Sequence, residues 1–507
     1  MKAETTTIQL PRTILETGAD KDIEFEGTLA DYLPGINRVI RTEANIIPEE
    51  AVINGSKAEV KGKAVFTLLY ESDYKEKLKN EKFTTDFVQR FDIGDLPKGD
   101  SFPVVNCRCS YVGCKTLNPR RFVLRCRADI RLELKTMQVM SIVSSNDCKG
   151  AFFKSEEQSF YSYCPPIRKD FNVDESFLAE GQTPIADIIY AALQFSPPEI
   201  SVDNGNALIR SNGIFKCLYE DEDGETKLYE HGFATSFNMD DELLTEDCIC
   251  NAELYCGTCE VIKEQDNYGE YRIMSMHGNI SLCLNVFTKC KVSVPKDMFF
   301  EDYDCNAKTE PLVYDKIEHL TKHRFNIEKV LEIPDMPFKN CTDINGEMYG
   351  SEYSADESGV TAKGTLTLNI LGAEDNSFNT RDLSVSFEEL IPQWKCAKEC
   401  KIKGSVKLVS LSGEIADNGR IKVKATGEIE GTCCKKDAVT AITGAEVSKR
   451  ETSEEGSPLI IYYPAVGETA WDIGKRYNLN PQLVLDNNGE AFDKAHTISK
   501  ENTVLFM

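Results

Sequence analysis

A strand pattern that recurs three times is the feature of this sequence that most limits how the chain can fold. The segments are RFVLRCRADI, YRIMSMHGNI and RIKVKATGEI, which begin at Arg121, Tyr271 and Arg420. In each segment alternate positions are small or apolar, and a period of two is typical of a strand with one buried face. The turn signals LNPR, DNYGE and DNGR precede them. The chain is therefore predicted to contain three related β domains.

Each copy also has an earlier recurring segment, in which a proline turn is followed by an apolar strand. In the first two copies a proline is followed 22 positions later by a tyrosine and an acidic residue, from Pro48 to Tyr70 and from Pro197 to Tyr219 (70 − 48 and 219 − 197). This spacing predicts two strands and a hairpin placed alike in both copies. The third copy begins near Glu332 and departs in its middle, where SADESGVTAKGTLTLNILGAEDNS adds residues.

The length of the chain and the positions of its proline-containing and charged stretches predict five segments. A chain of 507 residues allows about three to five domains of ordinary size. We expect β-rich repeats at 1–155, 165–295 and 310–447, a flexible charged linker at 448–457, and a final unit at 458–507. The connections between repeats are predicted in 154–170, which holds Pro165 and Pro166, and in 295–311. Several short strands with regular turns favour sandwiches over barrels, in a mainly β fold.

Charge and cysteine content limit the partners and the compartment. Lys plus Arg is 58 and Asp plus Glu is 83, a net charge of −25 that is dispersed along the chain, so nucleic acid and anionic membranes are disfavoured as partners. The N-terminal segment has no apolar run of signal-peptide length, and no segment approaches the roughly 18 apolar residues of a membrane span. The 19 cysteines are an odd number in a large chain. We therefore expect a cytosolic protein with reduced thiols.

Cysteines and histidines are the candidates for metal or redox chemistry. The Cys256-Gly-Thr-Cys259 segment has the spacing of a zinc knuckle, but no second knuckle lies at a matching distance. The other pairs are Cys107/Cys109, Cys248/Cys250, Cys396/Cys400 and Cys433/Cys434. Buried thiols are the favoured interpretation, and zinc at Cys256 and Cys259 is a weak alternative. His319 and His323 have the spacing of two ligands on a helix, but without an acidic partner they are expected in an exposed polar segment.

Motifs that would indicate an enzyme are missing from the sequence. There is no GxSxG elbow, no GxxxxGK[ST] phosphate loop and no GxGxxG segment after a strand. A thiol nucleophile at Cys256 stays open as a hypothesis, although no histidine lies in a recognisable arrangement with it. The chain is therefore expected to be non-enzymatic, with no cofactor.

The C-terminal 50 residues have a different pattern from the rest of the chain. An apolar strand is predicted at 459–463 and a turn at Gly467. Thr469 is the expected N-cap of a helix, with Asp472 as the acidic partner of a capping box. Ala470, Ile473, Gly474 and Tyr477 fall on one face of that helix. This face is predicted to be buried.

A second helix and a second strand follow. Asn480 and Pro481 are a cap and a proline at the first helical position. Leu483, Val484 and Asn487 are expected on the buried face, the helix is expected to end at Asn488-Gly489, and a strand at 503–506 is expected to pair with the first. The predicted order is strand, helix, helix, strand.

This unit resembles a LysM domain. The matching residues are Tyr463, Gly467, Glu468, Thr469, Trp471, Ile473, Tyr477, Asn480, Pro481, Leu485, Asn487 and Asn488. The resemblance implies a groove that binds N-acetylglucosamine polymers such as peptidoglycan, or a protein partner, and it implies that Trp471 belongs to the core. The groove residues would be Ala465, Val466, Gly467, Glu468 and Thr469 on one side and Asn487, Asn488, Gly489, Glu490 and Ala491 on the other.

Three such repeats followed by one LysM unit resemble the clostridial SipL-type spore coat morphogenetic proteins, the counterparts of SpoVID in bacilli. The resemblance implies a coat assembly adaptor in the mother-cell cytoplasm, at the forespore surface and in the spore coat. It implies a SpoIVA-like coat ATPase as the main partner, bound chiefly through the LysM unit, together with other coat proteins. The alternative is a protein that binds peptidoglycan or N-acetylglucosamine oligomers and tethers the coat to cortex or cell wall.

Overall fold

The structure, a computed structural model, describes residues 5–74, 77–95, 99–143, 150–333, 340–374, 377–395, 400–416, 419–450, 460–498, 500 and 503–506. Within these residues the protein is mainly β and is built from antiparallel sheets. The two short α-helices among them lie near the C-terminus. The predicted fold class, mainly β, is confirmed at this level.

The described residues of unit 1, 5–143 without 75–76 and 96–98, form six strands. They are β1 (Thr5–Thr28), β2 (Ile36–Asn54), β3 (Lys57–Ser72), β4 (Leu78–Asp92), β5 (Gly99–Thr116) and β6 (Arg121–Val143). They form two sheets, of order β2-β3-β4 and β1-β6-β5. Both sheets contribute to one apolar core, in which Phe66 of β3 and Leu124 of β6 are fully buried. The alternation that predicted a strand at 121–130 is thus a real buried face, and the strand continues to Val143.

Unit 2, residues 151–300, contains eight strands. They are β7 (Ala151–Tyr163), β8 (Ile167–Leu178), β9 (Ile185–Phe195), β10 (Glu199–Asp203), β11 (Asn206–Asp221), β12 (Thr226–Asp240), β13 (Ile249–Gln265) and β14 (Tyr271–Phe300). β7 and β8 both pair with β14, and β9 and β10 both pair with β11. Pro165–Pro166 and Pro197–Pro198 lie at the two interruptions, where proline cannot donate a ladder hydrogen bond. Much of 154–170, expected to be a connection, is therefore strand.

Unit 3 is residues 303–449, and its described part, which leaves out 334–339, 375–376, 396–399 and 417–418, again forms six strands. They are β15 (Tyr303–Glu332), β16 (Asn340–Asp356), β17 (Gly359–Glu374), β18 (Ser377–Ile391), β19 (Lys401–Ala416) and β20 (Arg420–Lys449). Their sheets have the order β16-β17-β18 and β15-β20-β19, which is the order of unit 1. The segment in which the third copy was expected to add residues forms, up to Glu374, the end of β16, its turn and β17. Since β17 has the same length and the same place in its sheet as β3, these residues are not an insertion. Part of the third copy's predicted proline turn, 334–339, lies outside the described residues, as does most of the predicted linker, 451–457. The proposed domain boundaries stay a prediction.

The three units contact one another in a closed ring. β4 contacts β9, β12 contacts β16, and β18 contacts β2, so each unit contacts the next in the same sense. The N-terminal parts of β1 and β15 pair with the C-terminal parts of β6 and β20, and the whole of β7 pairs with the C-terminal part of β14. Side chains from these ends form one cluster, which we call the apolar hub: Leu10, Ile142, Phe160, Val294, Leu312, Tyr314, Val439 and Ala441. The hub draws on all three units.

A second shared cluster is charged, and we call its residues, Arg41, Glu43, Tyr190, Lys216 and Asp343, the charged node. Arg41 Nη1 lies 2.6 Å from Asp343 Oδ2, and Lys216 Nζ lies 3.1 Å from Asp343 Oδ1. The exposed fraction of these three side chains is 3%, 6% and 3% for Arg41, Lys216 and Asp343. The Tyr190 hydroxyl donates to Glu43 at 2.9 Å. Tyr190 also belongs to an apolar cluster with members from all three units.

Candidate functional site

The C-terminal module, residues 460–506, has the predicted order of elements. It contains β21 (Ile461–Tyr462), α1 (Ala470–Tyr477), α2 (Pro481–Asn488), a 3₁₀ turn (Gly489–Ala491) and β22 (Leu505–Phe506). β21 pairs antiparallel with β22. The fully buried core is small: Ile473, Val484, Ile498 and Leu505. The strands are shorter than the predicted 459–463 and 503–506, and Leu459 lies outside the described residues.

The start of α1 is fixed by the capping box that the sequence predicted. Thr469 Oγ1 accepts a hydrogen bond from the backbone N–H of Asp472 at 3.1 Å, and the Asp472 carboxylate accepts from the backbone N–H of Thr469 at 3.1 Å. Ala470, Ile473 and Gly474 are buried, and Tyr477 packs against the module core. The predicted buried face of α1 is confirmed.

The start of α2 was also predicted correctly, but its buried face was not. The Asn480 side chain accepts from the Gln482 N–H at 2.9 Å, and Pro481 is the first helical residue. Of the three residues expected on the buried face, Val484 alone is buried, whereas Leu483 is 53% exposed and Asn487 is exposed. The helix is about two turns long, so the spacing of a few apolar residues did not define its orientation.

The two predicted loops lie on either side of residues 496–498. The Gly467 N–H donates to the Ile498 carbonyl at 2.9 Å, and the Ile498 N–H donates to the Glu468 carbonyl at 2.9 Å. On the other side, Phe492 forms an antiparallel bridge with Ile498. Gly467 has φ +91°, a left-handed conformation that glycine adopts without strain. The structure therefore places 465–469 and 487–491 around one short segment.

Glu468 is turned into the module, although it was predicted as a groove residue. Its side chain is 9% exposed and lies 2.7 Å from Arg476 Nη2. The Tyr462 hydroxyl donates to it at 2.8 Å, and the Ala465 N–H donates at 3.2 Å. This carboxylate joins β21, the first loop and α1, so its bonding capacity is used inside the module rather than for a ligand.

The remaining groove candidates differ in how open they are. Ala465, Val466 and Gly467 of the first loop are exposed, and so are Asn487, Gly489 and Glu490 of the second. Thr469 is used as the helix cap, Asn488 donates from Nδ2 to the Val484 carbonyl at 3.0 Å, and Ala491 packs against the core. A ligand at this site would therefore meet six of the ten predicted residues directly.

Apolar side chains are exposed in the first loop and beside it. Val466 is 54% exposed, Tyr463 is 69% exposed and Ile461 is 53% exposed. Ile461 and Tyr463 are two positions apart, so they share one face of the chain at β21, while Tyr462 between them packs inward. The short apolar run LIIYY indicated a strand but did not show which side would face solvent.

Trp471 does not occupy the module core, contrary to what the resemblance implied. Its ring lies 5.0 Å from the Phe299 ring of β14, and its indole Nε1 donates to Asp297 Oδ2 at 2.9 Å. Ile473 and Val484 fill the small core between the helices instead. The sequence singled out neither Asp297 nor Phe299, although adjacent phenylalanines at 299 and 300 would place one ring on each face of β14.

The thiol and imidazole candidates do not assemble into a metal site in the part of the chain that the structure describes. Burial raises the pKa of the Cys256 thiol to about 12 and that of Cys259 to about 11. Cys248 Sγ and Cys250 Sγ lie 3.6 Å apart on one face of β13 or just before it, and Cys107 is buried, as expected for core thiols. Cys396 lies outside the described residues.

His319 and His323 lie on β15, not on a helix or in a separate polar segment. Their part of the chain pairs with β20, which the four-residue spacing did not predict. The His323 side chain is 19% exposed, and its Nε2 lies 2.9 Å from Glu389 Oε1. The imidazole therefore joins β15 to β18 within unit 3.

Two further observations bear on identity. None of the helices within the described ranges has the length and apolar character needed to cross a bilayer. The chain matches no protein-family model, no curated protein and no solved structure. What the module does has to be inferred from its own residues and contacts.

Proposed function

We propose that this chain is a non-enzymatic assembly adaptor that binds a protein partner through the two loops of its C-terminal module. The observation that carries the proposal is the exposure of apolar side chains in the first loop and beside it, 69% for Tyr463 and 54% for Val466. Large exposed apolar side chains within a polar surface are typical of protein-binding sites, and tyrosine is frequent among residues that dominate binding.

The finer fold assignment is part of the same proposal. The module is a LysM unit, supported by the strand, helix, helix, strand order, the Thr469–Asp472 capping box and the Asn480–Pro481 helix start. The three units are related sandwich-like repeats, supported by the shared pairing of β1-β6-β5 and β15-β20-β19 and by the long closing strands β6, β14 and β20. Both assignments agree with the pattern of SipL-type coat morphogenetic proteins.

The partner in this proposal is a SpoIVA-like coat ATPase, with other coat proteins as further partners. The adaptor would work in the mother-cell cytoplasm at the forespore surface and remain in the spore coat. A ring of three units gives it a broad body, to which further partners can bind with the module as one contact among several. Linked contacts of this kind raise effective concentration at an assembly surface.

Glycan binding is the second candidate, and the second loop is the feature that favours it. Exposed Asn487 and Glu490 offer an amide and a carboxylate to sugar hydroxyls. The first loop favours the protein partner instead, because Glu468 is engaged inside the module and exposed Val466 is apolar. We therefore place peptidoglycan or N-acetylglucosamine oligomers second.

A thiol enzyme has the least support. Burial raises the pKa of Cys256 to about 12, and a thiol is nucleophilic as its thiolate. Such a group would be almost entirely protonated at neutral pH.

The test replaces Val466 by Asp in the full chain. We expect the affinity for the SpoIVA-like ATPase to fall at least about tenfold, or about 1.4 kcal/mol, because a charge would replace an apolar contact. Isothermal titration calorimetry with the ATPase, and separately with N-acetylglucosamine oligomers, measures it. Val330→Asp is the matched control, since Val330 is also 54% exposed but lies on β15.

The outcomes separate the candidates. Loss of ATPase binding in Val466→Asp, with the control unchanged, supports the adaptor. Oligomer binding that Asn487→Ala and Glu490→Ala weaken, in a chain that does not bind the ATPase, would replace it by the glycan-binding function.

A further inference from the structure

We propose that the end of β14 is a docking surface for the chain's own C-terminal module, which it holds through α1 while the two loops remain open. The surface consists of Asp297 and Phe299, and the residues that it receives are Trp471 and Lys475. The proposal concerns how the module is held and does not depend on what the module binds.

Trp471 makes two contacts that fit this surface. The indole N–H donates to Asp297 Oδ2 at 2.9 Å, and the indole ring meets the Phe299 ring at 5.0 Å and 66°. An edge-to-face pair at this separation is favourable beyond the area that it buries, and a partly buried indole N–H needs an acceptor. Trp471 thus makes an apolar ring contact and a hydrogen bond to the same surface.

Lys475 lies one helical turn after Trp471, so both side chains project from the same side of α1. Its Nζ lies 2.6 Å from Asp297 Oδ1. Burial alone would raise the pKa of Asp297, but the hydrogen bonds from Lys475 and Trp471 outweigh it and hold the pKa below its ordinary value of 3.8. Both oxygens of one carboxylate are therefore bound to α1.

The local structure of β14 explains why the Asp297 carboxylate can bind α1 of the module. The pairing of β14 with β7 shifts register between Pro295 and Asp297. A bulge at this point turns the following side chains, and proline at 295 removes a ladder donor. Beyond it, Phe299 and Phe300 point to opposite faces of the strand, yet they are 4% and 1% exposed. Phe299 is covered by Phe152 and by Trp471 of the module.

A second contact joins the module to the same end of the body. The Arg450 guanidinium donates to Asn478 Oδ1 of the module at 2.8 Å and to Asp304 Oδ1 at 2.9 Å. It also donates to the Glu301 carbonyl at 3.0 Å, in the turn between β14 and β15. Asn478 is the left-handed C-cap of α1, so this contact and the Trp471 contact hold the two ends of one helix.

Docking by α1 has a consequence for presentation. The helix face with Trp471 and Lys475 is occupied, whereas Val466, Asn487 and Glu490 stay exposed. A ligand at the loops can therefore bind without releasing the module. The module would meet its ligand in a fixed orientation relative to the three units instead of at the end of a freely moving tether.

Tryptophan fluorescence of the full chain tests the docking. The protein has two tryptophans, and Trp394 is 1% exposed in the core of unit 3. In a Trp394→Phe background the emission reports Trp471. We expect Asp297→Ala to shift that emission to longer wavelength and to raise its quenching by acrylamide, because the indole loses its acceptor and opens to water. Asp203→Ala, at an exposed carboxylate of β10, is the matched control.

A charge exchange distinguishes docking from a general effect on folding. Asp297→Lys should release Trp471, and adding Lys475→Asp should restore part of its protection, since the ion pair is re-formed with its signs exchanged while the indole N–H still lacks its Asp297 acceptor. If Trp394→Phe does not fold, the same variants are compared with Trp394 kept, because its contribution is buried and constant. Equal quenching of Trp471 in the parent chain and in Asp297→Ala would overturn the proposal.

Discussion

The apolar hub and the charged node are both shared by all three units, yet they are chemically opposite. The hub is made of aliphatic and aromatic side chains such as Leu10, Val294 and Leu312. The node joins Arg41 of unit 1, Lys216 of unit 2 and Asp343 of unit 3 through ion pairs of 2.6 and 3.1 Å. Apolar contacts are not directional, so a hub of this kind tolerates exchange of its members, whereas a buried ion pair requires one partner of each sign.

The register of the node sharpens this contrast. Arg41 lies opposite Leu69, Tyr190 lies opposite Leu218 and Asp343 lies opposite Leu371, and the three leucines belong to one apolar cluster. Three comparable strand positions thus carry a cation, a phenol and an anion. Three arginines there would place like charges together in a buried site. We infer that the different residues at these positions specify which unit lies beside which.

The largest effect is expected from removal of the node's anion. Asp343→Ala should lower the free energy of unfolding by about 3–5 kcal/mol, because it removes the carboxylate nearest to both buried cations and leaves only Glu43 at 3.8 Å from Arg41 and Glu230 at 3.6 Å from Lys216. Urea unfolding followed by circular dichroism measures this loss. Asp174→Ala is the control, since the Asp174 side chain is 66% exposed, and it should change the free energy by about 0.5 kcal/mol or less.

An apolar replacement of the whole node tests the interpretation. Arg41→Met, Lys216→Met and Asp343→Leu together should recover most of the stability lost in Asp343→Ala, because no charge is then left buried. If specification of the order is the node's role, the triple variant should be stable but should form more incorrectly assembled species on refolding, visible by size-exclusion chromatography. A cost below about 1 kcal/mol for Asp343→Ala would show that the node does not join the units.

A slightly smaller effect is expected in the hub. Leu312→Ala removes a side chain that is 1% exposed and should cost about 3 kcal/mol in unfolding free energy, from lost apolar burial and the cavity left behind. Val313→Ala is the matched control on the neighbouring residue, which is 45% exposed and points to the other face of β15. Equal losses in the two variants would mean that the hub is not packed as described.

The sequence predicted the parts of this molecule that depend on local chemistry. The alternation at 121–130 predicted the buried face of β6, and Thr469 with Asp472 predicted the start of α1. Both signals, a period of two and a capping box, depend on residues that lie within ten positions of one another. The prolines at 165–166 were also informative, but as an interruption of paired strand rather than as a connection between domains.

The contacts between distant parts of the chain could not be predicted from such local patterns. Asp343 meets Arg41 from 302 positions away, and Trp471 meets Asp297 from 174 positions away. Nothing local distinguishes Asp343 from the many other carboxylates, since its burial is created by neighbouring units. The resemblance to a LysM domain placed Trp471 in the module core, and the neighbours of Trp471 in sequence do not show that Asp297 and Phe299 contact it.

The smallest expected effect is a pH dependence of stability that distinguishes the charged node from the apolar hub. Burial alone would raise the pKa of Asp343, but Arg41 and Lys216 outweigh it and hold the pKa below its ordinary value of 3.8. The unfolded chain therefore binds a proton at Asp343 before the folded chain does, so the node's contribution is present above about pH 4 and is lost as the pH falls through the folded pKa. One proton corresponds to about 1.4 kcal/mol per pH unit.

Other carboxylates titrate in every variant, so the informative quantity is a difference in unfolding free energy between two variants. Below pH 4 the unfolding free energy of the parent chain should fall relative to that of the triple apolar variant. The difference between the parent and Leu312→Ala should stay constant over the same range. A Leu312→Ala difference that varied with pH, or a triple-variant difference that did not, would contradict the assignment of charge to one cluster and apolar packing to the other.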